Sequence, residues 1–498
     1  MATMQELLAK SLLELQKIQN RDNSTVIKGS ELSETNLKRL VKNNFLQPVL
    51  RGWYIISNPS VMVGDTTMWY ASYWNFISKF MASRYETQWI LSAEQSLSVY
   101  TGSSIVPQQI VVRSPKASNK KTELIANNSI FNLQAELPET ISTDNQYGLN
   151  LYSLTDAILV ATPMMYKNDA LTMRTALAMV TDIDTIIKAL AETGQTTRAG
   201  RLIGAFRNIG RGEWADEIFN TMSRIGYNVR EEDPFEDTQV VKISQSPYAT
   251  RLRLMWQNMR DVVIEQFNRS KSTYTAQQFL EQMEAQYKLD AYHSLSIEGY
   301  RVTDELINRV KSGGWRPDAD DKDAKNALAA RGYWQSFQQV KSSVTDILVN
   351  GKDSAVIVRS DLGKWYQELF MPCVAAGIIK VSDIAGYRSN QVYIRNSMHT
   401  PLRPDALRDA MGTLFDLIAE EDNAVVRAVL GHFMFTFIHP YMDGNGRTGR
   451  FLMNVMFASG NYDWLIIPVE RRDDYMSALE KASVEGDISP FVLFLNSI

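Results

Sequence analysis

The sequence predicts a multidomain protein: an α+β N-terminal region that opens with a helix–turn–helix and a β-wing, then an all-α domain interrupted around Gly386–Thr400. Three observations carry this. The chain has 498 residues, more than one core accommodates at about 100–200 residues per domain. Strand-like runs occur in the first half, whereas from about residue 250 the pattern is helical to the end. Between them lies Arg230-Glu-Glu-Asp-Pro-Phe-Glu-Asp, charged, proline-bearing and without helical periodicity, which marks a boundary.

Taken in order, residues 1–60 read as a winged helix-turn-helix. Leu7, Leu8, Leu12, Leu13, Leu15 and Ile18 recur at helical spacing. A second helix follows over Glu34-Thr-Asn-Leu-Lys-Arg-Leu-Val-Lys-Asn, then two short strands that turn at Arg51-Gly52. A recognition helix here would present Lys38, Arg39 and Lys42 to phosphates; the plainer alternative is a solvated basic face on a packing module. Residues 61–228 form an α/β region, with strands at Ile110-Val-Val-Arg and Ser129-Ile-Phe-Asn-Leu and a basic loop, Lys116–Lys121, between them. Residues 229–250 read as a linker and 251–498 as the helical domain. In order and pattern, residues 1 to about 228 resemble the AbiEi-type antitoxin family, which implies a DNA-binding regulator.

Composition narrows the class of function. Hydrophobic residues are 45% and charged residues 22%, an ordinary globular mixture, and the net charge of −4 supplies no global basic field for nucleic acid or membrane. The single cysteine, Cys373, excludes a disulfide framework within one chain, fits a reducing cytoplasm and reads as a small buried residue. Neither a signal peptide nor a membrane span is expected. No His, Cys, Asp and Glu spacing suggests zinc, and Asp318–Asp323 lacks the glycine and terminal glutamate of a calcium loop.

The chemistry concentrates in His439-Pro-Tyr-Met-Asp-Gly-Asn-Gly-Arg-Thr-Gly-Arg450. An apolar helical run, Ala424 to Ile438, precedes it, and a second, Phe451-Leu-Met-Asn-Val-Met-Phe-Ala, follows. The polar cluster therefore sits in a loop at a helix N-terminus, where backbone N–H groups and the helix dipole favour anions. His439 can accept a proton near neutral pH. Asp443 offers a hard oxygen to Mg²⁺. Gly444 and Gly446 let the backbone approach a pyrophosphate. Asn445 adds a directional donor, and Arg447 and Arg450 can neutralise phosphate charge. The glycines also fit G-x-G-x-x-G, with Asp463 downstream, but Pro440 and the helical run upstream argue against a dinucleotide fold.

This segment resembles the Fic family signature, His-Pro-Phe-x-Asp/Glu-Gly-Asn-Gly-Arg-x-x-Arg, with Tyr441 in place of Phe; the wider match runs from about 290 to 490. The resemblance implies a protein adenylyltransferase that uses ATP and Mg²⁺. His439 would deprotonate a target Tyr, Thr or Ser hydroxyl, Asp443 would hold the metal, Asn445 to Arg447 would cradle the α- and β-phosphates, and Arg450 would engage the γ-phosphate. The related Doc-type toxins transfer phosphate and carry Lys where Gly446 stands, so Gly446 favours AMP transfer; phosphocholine transfer from CDP-choline also occurs in the family. Gly386 to Pro401 resembles the family's β-hairpin flap, in which Gln391, Val392, Tyr393 and Ile394 would be the target-docking edge strand, with a plain surface hairpin as the alternative. Tyr475 would contact adenine, with ordinary packing as the alternative. Ser294-Leu-Ser-Ile-Glu298-Gly299 resembles the family's inhibitory motif, Ser/Thr-x-x-x-Glu-Gly/Asn, which implies that Glu298 pairs with Arg450 in place of the γ-phosphate. In some relatives that glutamate also supports AMP removal.

Of the remaining histidines, His293, His399 and His432, the last reads as orienting or packing. The expected partner is a protein bearing an exposed hydroxyl, with self-modification, promoter DNA and a second copy of the chain as further candidates. The architecture looks bacterial. The competing reading is a DNA-binding regulator whose Fic domain senses ATP.

Overall fold

The computed structural model describes residues 3–22, 24–59, 65–236, 246–312 and 324–498. It divides into two compact units, Met1–Pro247 with Tyr393–Thr400, and Tyr248–Val392 with Pro401–Ile498. The acidic run 318–323 and part of the 229–250 stretch lie outside the described residues.

The N-terminal unit begins with helix α1 (Met4–Asp22), strand β1 (Val26–Lys28), a 3₁₀ turn (Gly29–Glu31), α2 (Glu34–Lys42) and the hairpin β2 (Leu46–Leu50) and β3 (Trp53–Ile56). Ser33 caps α2 by accepting from the Asn36 N–H, and Arg51-Gly52 turns the hairpin, with Gly52 at φ +81°. The strands pair antiparallel in the order β1-β3-β2. Leu15, Ile18, Leu32, Leu40 and Leu46 close a small core beneath them.

Helix α3 (Thr67–Tyr85) buries Trp69, Tyr73, Phe76 and Ile77 at helical spacing. With β4 (Ile90–Leu91) and α4 (Ala93–Tyr100) it leads into β5 (Gln109–Ser114), β6 (Lys120–Glu123) and β7 (Ser129–Gln134), in a four-stranded sheet ordered β4-β5-β7-β6. β5 and β7 pair parallel, Ile110 opposite Ile130. The basic loop read from the sequence is shorter than expected: Lys120 and Lys121 begin β6, an edge strand whose exposed lysines suit a sheet margin.

A short pair, β8 (Ser142–Thr143) and β9 (Asn150–Leu151), precedes the helical remainder. This comprises α5 (Leu154–Val160), α6 (Pro163–Asn168), α7 (Ala170–Met179), α8 (Asp184–Thr193), α9 (Thr196–Asn208) and α10 (Gly212–Arg224). The stretch read as a linker starts against α9. A Cβ on Gly200 would stand 1.9 Å from the Arg230 carbonyl oxygen, and one on Gly204 2.3 Å from that of Glu232. Glu232 N–H bonds to Gly200 O at 3.1 Å, and Arg207 grips Glu231 at 2.8 Å.

The C-terminal unit is helical: α11 (Pro247–Gln266), α12 (Ala276–Ile297), α13 (Asp304–Lys311), α14 (Ala324–Leu348), α15 (Ser354–Ala375), α16 (Leu407–Glu420), α17 (Ala424–Ile438), α18 (Asn445–Ser459), α19 (Arg472–Val484) and α20 (Ser489–Asn496). α17 and α18 are buried over most of their lengths, as near-continuous apolar sequence demands. They form an antiparallel centre around which α14, α15 and α16 pack. Among the described residues no helix is long and apolar enough to cross a membrane.

The expected flap hairpin is not seen: Gln391–Ile394 carries no strand. Two of its carbonyls are bonded locally, Ile394 O by Ser397 N–H (3.2 Å) and Val392 O by the Gln391 side chain. Gln391 donates to the carbonyls of Val392 (3.2 Å) and Pro401 (2.7 Å). Within the N-terminal unit His399 bridges Ile105, Thr400 N–H bonds to Ser104 O (2.6 Å), and Arg395 pairs with Asp65 (3.1 Å).

Candidate functional site

The site forms at the turn from α17 to α18. His439 ends α17 in the left-handed region (φ +54°, ψ +59°). Its Nδ1 lies 3.2 Å from Thr436 O, so Nδ1 carries the proton and Nε2 keeps its lone pair. The residue retains some accessible surface although protein surrounds it on most sides. Burial pushes its pKa down to about 4, against the opposing pull of the Thr436 carbonyl. The imidazole is therefore neutral, and a base, at physiological pH.

Four residues on, Asp443 is the exposed carboxylate of the turn, its side chain 58% accessible. Its Oδ1 accepts from Gly444 N–H (2.6 Å) and from Arg447 Nη2 (3.3 Å). Gly444 caps α18 at φ +82°, where a Cβ would also strike Phe370 at 2.8 Å. The first helical bond of α18 runs from Thr448 N–H to Gly444 O. The N–H groups of residues 445–447 precede it and form the anion-facing end of the helix.

Asn445 acts differently from the sequence expectation. Its Oδ1 accepts from Tyr441 N–H (3.0 Å) and its Nδ2 donates to Tyr441 O (2.9 Å), so the side chain closes the loop and only the backbone faces an anion. Tyr441 in turn stacks on Tyr366, ring centroids 3.5 Å apart and planes within 3°. The aromatic plug thus survives replacement of Phe, and burial drives its hydroxyl pKa upward.

Both arginines are buried. Arg447 lies between the rings of Tyr300 and Phe370, 5.2 Å from each centroid, and its Nε has no hydrogen-bond partner. Arg450 donates through Nε to Ser294 Oγ (2.9 Å), and through Nη2 to Ser294 O (3.0 Å) and Glu298 Oε1 (2.8 Å); Nη1 has no partner. Glu298 caps α12, and a Cβ on Gly446 would meet its Oε1 at 2.3 Å. The glutamate therefore lies directly over the N-terminus of α18. Burial works against its charge, but Arg450 and Arg447 outweigh this and hold its pKa below the ordinary carboxylate value. Gly299 follows at φ +85°.

The structure thus gathers His439, Asp443, Gly444, Asn445, Gly446, Arg447, Arg450, Ser294 and Glu298 around one turn. Tyr475 belongs to the interior rather than an open face. It is 1% exposed, with its hydroxyl 2.8 Å from His432 Nε2 and its ring against Phe491 and Phe494, which favours packing. Cys373 is half-buried, and burial raises its thiol pKa. His293 accepts from Val469 N–H (3.1 Å) and His399 bonds Ser104 Oγ (2.9 Å), so both are structural.

Two contributors escaped the sequence reading. Arg388 is buried and donates to the carbonyls of His439 (2.8 Å), Asn390 (2.8 Å) and Leu402, while its N–H bonds Pro440 O (2.9 Å). It fixes the turn that presents the base. Tyr300 supplies one wall for Arg447. Neither stands in the twelve-residue motif; the nearest sequence signals were the position of Tyr300 beside Gly299 and that of Arg388 beside Gly386.

A neutral base, an exposed carboxylate, a helix N-terminus and two guanidiniums define a site for a polyanion with a nucleophile delivered beside it. Residues 359–457 match the model of the Fic/DOC family. The chain is 31% identical over 211 residues to the protein adenylyltransferase Fic of Drosophila willistoni, covering 41% of this chain and 38% of that one. It is 37% identical over 113 residues to that of Nematostella vectensis, covering 22% and 26%. It thus spans well under half the length of these curated relatives. Among solved structures, a Fic-1 fragment from C. elegans aligns at 18% identity over 66% of this chain and 94% of that chain, with a TM-score of 0.36. A Fic family protein from Desulfovibrio desulfuricans aligns at 20% over 51% and 72%, with a TM-score of 0.35. Likenesses this loose carry no structural argument.

Proposed function

We propose that the C-terminal unit is a protein adenylyltransferase that moves AMP from ATP to a protein hydroxyl and is held off by Glu298. The observation that carries this reading is the Arg450–Glu298 pair lying over Gly446 at the end of α18, with His439 Nε2 unengaged. Arg450 would take the γ-phosphate once Glu298 leaves. The N–H groups of residues 445–447 and the Arg447 guanidinium would hold the inner phosphates. His439 Nε2 would take the proton from the target hydroxyl as its oxygen attacks the α-phosphorus; the bond to pyrophosphate breaks and AMP remains on the protein. The chain contributes position and charge, with no covalent intermediate.

Mg²⁺ fits the donor set: Asp443 is a hard, accessible carboxylate at the anion end of the helix. When bound it would neutralise phosphate charge. ATP, Mg²⁺ and AMP transfer are tested together by incubating wild type, Glu298→Gly and Glu298→Gly/His439→Ala with α-labelled ATP and Mg²⁺. Label transferred by Glu298→Gly and absent in the double variant supports the proposal. No label in any sample, with ATP still bound, overturns it and favours the sensor reading.

For the N-terminal unit we propose a winged helix of the AbiEi-like type that contacts DNA through Lys38 and Lys42. Both are exposed on α2. Arg39 is withdrawn from this role because its Nη1 donates to Ser11 Oγ and Asn36 Oδ1 (both 2.8 Å) and to Leu7 O (3.3 Å). Failure of residues 1–228 to retard the gene's own upstream DNA at low salt would sink this assignment.

A further inference from the structure

Helix α12 carries Asp290 and Ser294, and is capped by Glu298, at four-residue intervals along one face. The last two bind Arg450 directly. Asp290 lies one turn deeper and is 5% exposed. Its Oδ2 accepts from the Tyr333 hydroxyl on α14 at 2.9 Å. Tyr333 of α14 donates to it, and Ser294, one turn along the same face, holds Arg450 of α18; the charge of Arg450, the Trp464 indole beyond α18 and Tyr287 of its own helix act on it. Arg450 is the cation among them.

A carboxylate in this place needs a reason. Burial pushes its pKa up to about 6, although Tyr333, Arg450 and Trp464 pull the other way. Asparagine would accept the Tyr333 hydroxyl equally well without a desolvated charge. Arg450 supplies the reason. Its guanidinium stays charged at any physiological pH and is buried. In this state Glu298 balances it. For a nucleotide to enter, Glu298 must leave, and a buried cation would then stand alone.

We propose that Asp290 is the reserve counter-ion of Arg450, a positioning residue that holds the guanidinium in place between the departure of Glu298 and the arrival of a phosphate. This rests on the reading of Arg450 as the γ-phosphate residue. It makes the cost of lifting the inhibitory glutamate depend on a second carboxylate on the same helix, outside the inhibitory motif. Removing Glu298 also removes a like charge from the cluster, so Asp290 ionises more readily in its absence.

A double-mutant cycle in the full-length, nucleotide-free protein tests this by thermal unfolding at pH 5 and pH 8. The variants are Asp290→Asn, Glu298→Gln and the pair; both changes keep side-chain shape and remove only charge. With Glu298 present, Asp290→Asn should leave Tm unchanged or raise it, more at pH 8 than at pH 5, because an acid whose folded pKa is raised begins to cost stability above its ordinary pKa and costs it in full only above the folded one. With Glu298→Gln, the sign should reverse. Asp290→Asn should then lower Tm by about 3 °C or more at pH 8, since the arginine loses its last carboxylate. At pH 5 the reversal should persist in part, because Asp290 titrates lower there. Additive shifts, with Asp290→Asn acting alike in both backgrounds, would overturn the proposal. Tyr333→Phe separates the alternatives: if the Tyr333 hydrogen bond alone mattered, it would reproduce the reversal, and the charge role would fall. Because unfolding does not depend on turnover, absence of label from ATP would defeat the transferase reading while leaving this coupling measurable.

Discussion

Two half-buried arginines of the N-terminal unit and two buried ones at the C-terminal turn play opposite parts. In the N-terminal unit Arg211 donates to the carbonyls of Val180 (2.6 Å) and Ala178 (2.7 Å) and stacks on Trp214 at 4.0 Å. Arg39 ties α2 to α1. Their partners are fixed points of the chain, so the charge serves the fold. In the C-terminal unit Arg447 Nε and Arg450 Nη1 are buried donors without partners, and the main partner of Arg450 is a glutamate at a helix end. A buried donor left unmatched costs about 1–3 kcal/mol. Tolerating that cost twice around one turn points to a ligand that would meet those donors.

The largest expected effect lies at the base. In a Glu298→Gly background, His439→Ala should lower AMP transfer by about 10²–10⁴-fold, the span of general base catalysis, with ATP binding by calorimetry changed less than threefold. A parallel loss of ATP binding would show that His439 shapes the anion site rather than the proton transfer. The pH profile sharpens the assignment. Burial and the neighbouring Arg388 hold the imidazole neutral above about pH 4, and removing Glu298 withdraws a charge that supported protonation. Transfer by Glu298→Gly should therefore rise through about pH 4 or below and show no histidine arm between pH 6 and 8. A rate that doubled across that interval with an apparent pKa near 6.5 would contradict the geometry.

Glu298→Gly itself should move stability and activity in opposite directions. Breaking a buried ion pair costs about 3–5 kcal/mol when one charge is left alone; here the cost is smaller because the Glu298 side chain is 23% exposed. Tm should fall while AMP transfer rises at least tenfold. Since the folded pKa of Glu298 is depressed, the stabilisation from the pair is present above its ordinary value of 4.5 and is lost only as pH falls below that. A Tm difference between wild type and Glu298→Gly that vanished at pH 6 would break the pairing argument.

The units also differ in how far the sequence disclosed them. His439 to Arg450 was legible because a base, a metal ligand, an anion-facing helix end and two guanidiniums fall within twelve consecutive residues. Arg388, Tyr300 and Asp290 were not, because each joins the site through tertiary packing from another element. Asn445 shows a finer limit: residue type announces a donor, but only coordinates show that Tyr441 occupies it. Apolar spacing disclosed the helices and the β2–β3 hairpin. It missed that Gln391–Ile394 forms no strand, since a strand requires a pairing partner that local pattern does not supply. It missed as well that Arg230–Asp233, charged and followed by Pro234, packs on α9.

That last contact offers a stability test confined to the N-terminal unit. Gly204→Ala places a methyl 2.3 Å from the Glu232 carbonyl oxygen, where backbone rather than a flexible side chain must yield. Overpacking of this kind costs about 1–3 kcal/mol, so residues 1–247 should melt several degrees lower, with AMP transfer by full-length Glu298→Gly unchanged. An unchanged Tm would mean that 230–236 is free to leave α9 and is a linker after all.

The smallest effects, and the sharpest use of the comparison, lie on α2. Arg39 and Lys42 share a helix and a charge but not a role. Arg39→Ala removes bonds to Ser11, Asn36 and Leu7 O, and leaves Ser11 Oγ and Asn36 with less to hold them. It should cost about 1–2 kcal/mol, seen as a lower Tm. Lys42 is exposed and carries no such bonds among the described residues, and Lys38 pairs only with Glu34 in full solvent. Lys42→Ala and Lys38→Ala should leave Tm within error. If the unit binds DNA, each removes about one phosphate contact and reduces the salt slope of retention by about one. Weaker retention by the lysine variants at unchanged Tm would make this helix a phosphate-facing surface. Loss of retention only with Arg39→Ala, in step with its Tm, would assign the charge on α2 to the fold, as at Arg211, and sharpen the contrast with the guanidinium groups of the C-terminal turn.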